Sequence, residues 1–496
     1  MHRHSRRLAT ALVCLVATTA LFTACSGGTG EGEESAQPSP SVPKSSSSPS
    51  KRAAGEVNRD DVNGDGHADV VVNGWYRAKP GLEWSRNRFV ALAAATAAAD
   101  GPDPGEAFRL KESLPELGPP ISTGPIGQDQ STQFTGDLDD DGYADVVAGD
   151  MVYDADGDFV PEQHIHWGGP DSLAAVTELA DDVLPAIATG DFDGDGALDL
   201  LTLARPSFSQ SATEPQPATV LYGPLGRDGK PRATSTTDVG YGGWVSVAHT
   251  VVGDFDGDGR DDLVTKGVYD EEDARLEDGP PEGVTDATFY RGTAGTTGRA
   301  GSLKAAGSVP GVTGAGSLPL DTGDFDGDGH QDIIGRGQVG DRAVVVYGSA
   351  EGPGRGEARP GDLGKLKPGL AVAVGDVNGD GYDDLATNPR GEDRRIGQVV
   401  VVLGGEDGLD TTRTLTIDRY TIGLKGSPRT AGDRDRFGWD LYMADLDSDG
   451  QDELLIGTFG FTEPRKDSGY WILRGTPNGP STSDRHFVRT KDFGSS

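Results

Sequence analysis

The chain has 496 residues, with 44 Lys and Arg against 80 Asp and Glu and a formal net charge of −36. Its 75 Gly and 31 Pro interrupt helices too often for a long helical bundle. The acid excess excludes sequence-independent binding to nucleic acid, which needs clustered Lys and Arg against phosphates.

In chain order, the first feature is a basic start, His2, Arg3, His4, Arg6 and Arg7, followed by an apolar run from Leu8 to Ala24. That pattern predicts a secretory signal over residues 1–24, too short to read as a spanning helix. The run ends Leu21-Phe22-Thr23-Ala24-Cys25 and resembles a bacterial lipoprotein signal, which implies that Cys25 is lipidated and becomes the new N-terminus. Ser5-Arg6-Arg7 leaves both the Sec and the twin-arginine export routes open. Cys14 and Cys25 are the only cysteines, so the mature chain has no pair to oxidise. Loss of three arginines with the signal lowers the charge from −36 to −39. Residues 25–57 read as the lipidated Cys and a disordered tether, rich in Gly, Ser, Pro and Glu and including Ser45-Ser46-Ser47-Ser48. A random coil of that length reaches roughly 30 Å, which would hold the folded part off a membrane.

Residues 58–496 are dominated by a repeat, Asp-x-Asp/Asn-x-Asp-Gly-x-x-Asp/Glu, with seven copies starting at Asp61, Asp137, Asp191, Asp254, Asp324, Asp376 and Asp445. The second position is always apolar, the sixth always Gly, and the tenth always aliphatic. Such spacing suits a hard cation. Ca²⁺ takes six to eight oxygens, and a tight loop aims side chains one, three and five inward, with Gly at six allowing the turn. Position nine adds a carboxylate. Position seven varies freely, as a residue giving only its carbonyl would. The donors are therefore Asp61, Asn63, Asp65, His67 and Asp69 in the first loop, and Asp137, Asp139, Asp141, Tyr143 and Asp145 in the second. In the third they are Asp191, Asp193, Asp195, Ala197 and Asp199, and in the fourth Asp254, Asp256, Asp258, Arg260 and Asp262. The fifth uses Asp324, Asp326, Asp328, His330 and Asp332, and the sixth Asp376, Asn378, Asp380, Tyr382 and Asp384. The seventh ends the series with Asp445, Asp447, Asp449, Gln451 and Glu453. Up to seven Ca²⁺ are implied. Position twelve carries no acid in any copy, so these are not EF-hands.

A short apolar strand leaves each loop, and a second one follows, usually ending in Gly, as in Val399-Val400-Val401-Val402-Leu403-Gly404. Seven such units predict an all-β fold, a seven-bladed β-propeller with a calcium-binding Asp-rich loop in each blade. The repeats resemble the FG-GAP/VCBS family, known from the N-terminal β-propeller of integrin α subunits. The resemblance is carried by Val374-Gly375-Asp376-Val377-Asn378-Gly379-Asp380-Gly381-Tyr382 and by Phe437-Gly438 ahead of Asp445. It implies that each loop joins two strands of one blade and holds calcium. No Arg-Gly-Asp occurs, and the family's Gly-Ala-Pro element is degenerate, as in Thr387-Asn388-Pro389. The first loop leaves little room for a preceding strand, and the segment around His486-Phe487-Val488 is expected to help close the ring beside the first blade.

Catalytic motifs are scarce. Gly335-x-Gly337-x-x-Gly340 lies between two strands and reads as a hairpin turn rather than a dinucleotide loop. His164 and His166 share one face of a strand, either as ordinary surface or as a pair for a transition metal. The acidic stretch from Asp270 to Glu282 reads as a solvated loop, with recognition of a cationic partner as the other possibility. The function expected is an exported, lipid-anchored binding or adhesion module on the outer face of the cell membrane, without catalysis. Its partner would be an extracellular protein or glycan, with no nucleic acid, and its only membrane contact the lipid anchor. The alternative is an extracellular polysaccharide lyase or hydrolase with its site on a propeller face.

Overall fold

The computed structural model describes residues 60–76, 85–93, 110–113, 132–153, 159–170, 173, 175–179, 183–204, 215–241, 245–269, 286–295, 301–312, 318–337, 342–355, 361–364, 366–369, 371–389, 397–424, 437–458 and 469–489. The signal, Cys25, the tether and the acidic stretch 270–282 lie outside these residues.

Among the described residues every regular element is a β-strand, and the strands form seven antiparallel meanders in chain order. The first comprises β1 (Val70–Tyr76), β2 (Ser85–Ala93) and β3 (Leu110–Ser113). The second comprises β4 (Thr132–Gly136), β5 (Asp145–Tyr153), β6 (Phe159–Trp167) and β7 (Ala175–Glu178). The third runs through β8 (Val183–Gly190), β9 (Asp199–Ala204), β10 (Pro215–Tyr222) and β11 (Ala233–Tyr241). The fourth has β12 (Val245–Gly253), β13 (Asp262–Tyr269), β14 (Thr288–Thr293) and β15 (Ser302–Ser308). The fifth has β16 (Leu318–Gly323), β17 (Asp332–Arg336), β18 (Ala343–Val346) and β19 (Gly361–Asp362). The sixth has β20 (Val372–Gly375), β21 (Asp384–Thr387), β22 (Gln398–Val402) and β23 (Thr414–Asp418). The last has β24 (Leu441–Ala444), β25 (Glu453–Thr458), β26 (Gly469–Leu473) and β27 (Arg485–Arg489).

The second strand of each blade is apolar on both faces because it is buried on both. On β13, Leu263 packs toward the third sheet with Phe192 and Val220, while its neighbour Val264 packs toward the fifth with Ile333 and Val346. On β25, Leu454 and Ile456 meet the sixth sheet, and Leu455 meets Val70 and Val72 of the first. The period-two alternation of a strand thus feeds two inter-sheet cores at once. Consecutive sheets share such a core all the way round, and the last core joins the final sheet to the first. This is a β-propeller.

One expectation is corrected. Among the described residues there are six four-stranded blades rather than seven, and the first sheet has three strands. In the six four-stranded sheets a strand precedes the Asp loop, whereas the described strands of the first sheet all follow the loop at Asp61. The segment around His486-Phe487-Val488 pairs with β26 as the outer strand of the last blade, and Val488 packs in the core that joins that blade to Val70 and Val72 of the first.

Threonines stitch the first strands together, Thr250 Oγ1 donating to Ile187 O at 2.7 Å and Thr322 Oγ1 to Val252 O at 3.1 Å. A cavity of about 210 Å³ lies among β4, β8, β12 and β16, lined by Phe134, Ile187, Thr189, Val252, Leu320 and Asp321. Burial pushes the Asp321 carboxyl up to about 7, against the lowering effect of the Thr322 N–H. The cavity holds none of the repeat carboxylates.

Candidate metal centres

Each Asp loop in the six four-stranded blades is the connection between first and second strands. The residue before position one pairs with position nine, as in Gly323 with Asp332 and Ala444 with Glu453. The position-one carboxylate organises the loop interior. In the sixth loop, Asp376 Oδ1 accepts the N–H groups of Gly379 at 2.7 Å and Asp380 at 3.1 Å, and its Oδ2 accepts that of Gly381 at 2.7 Å. Bringing these three N–H groups to one side chain needs left-handed backbone at two places, Gly379 (φ 71°) and Gly381 (φ 88°). Position six was legible from its invariant Gly. Position four was missed, although it reads Gly in five of the seven copies; its exceptions, Asp140 (φ 60°) and Ser448 (φ 58°), are the only non-glycine residues at positive φ among those described.

The position-nine carboxylate is a clamp. Asp199 Oδ2 accepts Phe192 N–H at 3.0 Å, and its Oδ1 accepts Gly223 N–H, just after the third strand, at 2.9 Å. Asp145, Asp332, Asp384 and Glu453 make the same two bonds in their own blades. Burial raises these acids, to about 7 for Asp145, about 8 for Asp199, Asp262 and Asp384, and about 9 for Asp332 and Glu453. Neighbouring loop carboxylates push the same way, and the clamped N–H groups only partly oppose them. Without a counter-charge, the ionised clamp is disfavoured.

Positions one, three and nine converge. In five loops one oxygen from each lies within 4.8 Å of the others: Asp137, Asp139 and Asp145; Asp191, Asp193 and Asp199; Asp254, Asp256 and Asp262; Asp324, Asp326 and Asp332; Asp445, Asp447 and Glu453. Loops one and six carry Asn63 and Asn378 at position three, so each lacks a third carboxylate there, while Asp61 and Asp376 keep the same backbone bonds. Position five does not join these groups. Its carboxylate turns back to the position-seven N–H, as in Tyr143 N–H to Asp141 Oδ1 at 3.1 Å.

Whether this donor set fits a cation is answered by atoms that nothing else satisfies. Asp193 and Asp256 are more than nine-tenths buried, yet Oδ1 of each has no hydrogen-bond partner, and the same holds for Oδ1 of Asp139 and Asp447. Buried polar atoms are rarely left so. All-oxygen, carboxylate-rich coordination is the chemistry of a hard divalent ion such as Ca²⁺. The residues fit.

Position seven does more than offer a carbonyl. Its side chain covers position four of the preceding loop: a Cβ placed on Gly64 would fall 2.4 Å from Tyr143, on Gly327 2.7 Å from Tyr382, on Gly194 2.6 Å from Arg260, and on Gly379 2.8 Å from Gln451. His67 closes the series, its Nδ1 lying 3.1 Å from Ser448 Oγ.

Four arginines were also missed. Arg227 reaches Asp139 and Asp141 at 2.6 and 2.5 Å, and Arg232 reaches Asp193 and Asp195 at 3.1 and 2.5 Å. Arg291 reaches Asp256 at 2.7 Å, and Arg474 reaches Asp447 and Asp449 at 2.8 and 3.0 Å. Arg291 and Arg474 each stand immediately before the Gly that ends the third strand, which is the signal that would have found them. His164 and His166 lie on β6 with ring centroids 6.3 Å apart, and burial lowers His166 to about 4. No third ligand joins them among the described residues. In the Gly335-x-Gly337-x-x-Gly340 motif, Gly335 lies on β17 and Gly337 N–H donates to Arg342 O, just ahead of β18, while Gly340 lies outside the described residues.

Comparison with known proteins agrees with this geometry. Residues 324–387 match the FG-GAP-like repeat, a span that begins at position one of the fifth loop, Asp324. A segment of 95 residues is 36% identical to mouse integrin alpha-IIb, covering 18% of this chain and 8% of the integrin's length.

Proposed function

We propose that the protein is a calcium-stabilised β-propeller that acts outside the cell as a binding or adhesion module, without catalysis. One observation carries the calcium reading: buried carboxylate oxygens without partners, at the centre of loops whose positions one, three and nine converge. Side chains at positions one, three and nine, together with the position-seven carbonyl, would hold each ion. The ion would supply positive charge that lets the buried position-nine acid ionise. Likeness of one segment to an integrin α chain supports an extracellular setting, and the N-terminal sequence supports a lipid anchor at Cys25.

The test of the metal reading is thermal unfolding with excess calcium and with chelator. A ligand bound only by the folded state adds about 2.7 kcal/mol per site at a hundredfold excess over Kd. A melting temperature indifferent to chelation would refute it. The partner reading is tested by capture of cell-wall polymers and surface proteins. Turnover of a retained polymer by the purified protein would replace the adhesion reading with that of an extracellular lyase or hydrolase.

A further inference from the structure

The seven loops are not charged alike, and position three is one of the places where they differ. Loops one and six have the neutral amides Asn63 and Asn378 there. Loops two, three, four and seven have Asp, and in each an arginine sits on that carboxylate: Arg227 on Asp139, Arg232 on Asp193, Arg291 on Asp256 and Arg474 on Asp447. The arginines take a consistent side. Each lies within ion-pair distance of Oδ2, while Oδ1 is buried and without a hydrogen-bond partner, as is Oδ2 in Asp256. A guanidinium therefore does in four loops what the Asn side chain does in two, removing one unit of negative charge from the position-three ligand while keeping an oxygen for the ion.

Loop five is the exception. Asp324, Asp326, Asp328 and Asp332 are all carboxylates, and among the described residues no Arg or Lys pairs with them. The imidazole of His330 lies 3.0 Å from Asp328 at position five.

We propose that charge compensation at position three grades the loops, and that loop five, whose Asp326 has neither an arginine on it nor an amide in its place, is the first to take up a divalent cation. This rests on the reading of the loops as calcium sites and adds their order of filling. The direction follows from competing effects. Removing a guanidinium frees the ion from repulsion by a unit positive charge one carboxylate away, which for a divalent ion is worth about tenfold in affinity even at the dielectric of water. The ordering gained from a half-exposed arginine pair is smaller. In the calcium-free protein the sign is opposite, because there the arginine offsets repulsion between position-three and position-five carboxylates.

The experiment is calcium titration of the whole folded chain by calorimetry, alongside its melting temperature in chelator, for the native sequence and the variants D326N and R232Q. D326N copies the amide already present in loops one and six, so the blade has a precedent for it. The native protein is expected to fill one site at least about tenfold more tightly than the rest. D326N should abolish that step and leave the weaker ones. R232Q should add a second tight site while lowering the melting temperature in chelator, a pair of opposite signs that loss of packing alone would not produce. A single affinity class, or a first step that survives D326N, overturns the proposal and leaves the calcium reading standing. Weaker calcium binding in R232Q overturns it too, assigning the arginine to ligand positioning. No calcium binding by the native chain overturns both.

Discussion

Replacing the clamp acid of the fifth loop tests how these blades are built. Asp332 is fully buried, with Oδ2 accepting Phe325 N–H at 3.0 Å and Oδ1 accepting Gly348 N–H at 2.8 Å. Asp332→Ala strands both donors in the interior, and each buried unsatisfied donor costs about 1–3 kcal/mol, so the expected loss is about 2–6 kcal/mol. Asp332→Asn keeps one acceptor and turns an NH₂ toward the other donor, for about 1–3 kcal/mol. In chelator, where burial holds the native acid at about 9, Asn replaces a group that is already neutral near pH 7, so the cost is the hydrogen bond alone. In excess calcium the same variant also loses a charged ligand, and its deficit should widen. Urea unfolding followed by tryptophan fluorescence, with and without calcium, measures all four values. Equal losses for Ala and Asn would refute the two-donor clamp. A deficit for Asn that calcium leaves unchanged would remove position nine from the ligand set.

Other consequences follow from the same geometry. The clamp acids have folded-state values raised above the ordinary carboxylate value of 3.8, so the ion-free folded chain binds more protons than the unfolded one between about pH 4 and 8. Its stability in chelator should therefore fall as pH rises through that window, and excess calcium should flatten the dependence; melting temperatures at pH 5 and 8 read both. Phe255→Ala removes a fully buried ring that meets Phe289 edge-on at 6.3 Å and packs against Ile333 of the next sheet, for about 3–5 kcal/mol by urea unfolding. Gly327→Ala forces a side chain onto a residue at φ 70° with Tyr382 Cε1 only 2.7 Å away. The backbone part, about 1–2 kcal/mol, should persist in the double variant with Tyr382→Ala, while the steric part should vanish.

What could be read in the sequence was whatever repeats with fixed chemistry. Position two is apolar in every copy because it is a core residue, Phe192, Phe255 and Phe325 being fully buried, and position ten is aliphatic because it opens the strand buried on both faces. The acids were legible for the same reason. Their division of labour was not: spacing cannot tell that Asp195 or Asp449 turns to arginine and backbone while Asp193 or Asp447, on the same arginine, keeps one buried oxygen without a partner. Position seven was misjudged as free because variation within one chain conceals pairing between neighbours. Tyr382 is constrained by Gly327 in the loop before it, and no single copy contains both residues. The arginines escaped because only two of the four occupy equivalent places. Arg227 and Arg232 reach their loops from the β10–β11 connection instead, with Arg227 crossing from the third blade to the second.

That crossing belongs to a wider pattern that decides what calcium would stabilise. Each loop is held partly by the blade that follows it. The N–H of position eight donates to the position-one carbonyl of the previous loop, Gln331 to Asp254 at 2.9 Å, Asp383 to Asp324 at 3.0 Å and Asp452 to Asp376 at 2.9 Å. The residue after the third strand's Gly donates to position two of that same loop, Ser349 to Phe255 at 3.0 Å and Gly405 to Phe325 at 3.1 Å. Ser448 Oγ, donating to Gly66 O at 2.8 Å, carries the linkage from the last loop to the first. An ion that fixes a loop therefore fixes the acceptors for two backbone bonds and a side-chain cover from the next blade. Calcium should stabilise blade-to-blade contacts as much as blades, and its removal should loosen the ring first at interfaces. Amide exchange of Asp383 and Gly405, which belong to the sixth blade but bond to the fifth loop, should speed up in Asp326→Asn under calcium, while amides inside β22 stay protected. Equal acceleration throughout the sixth blade would mean that the loops act within blades and that the linkage between them carries no energy.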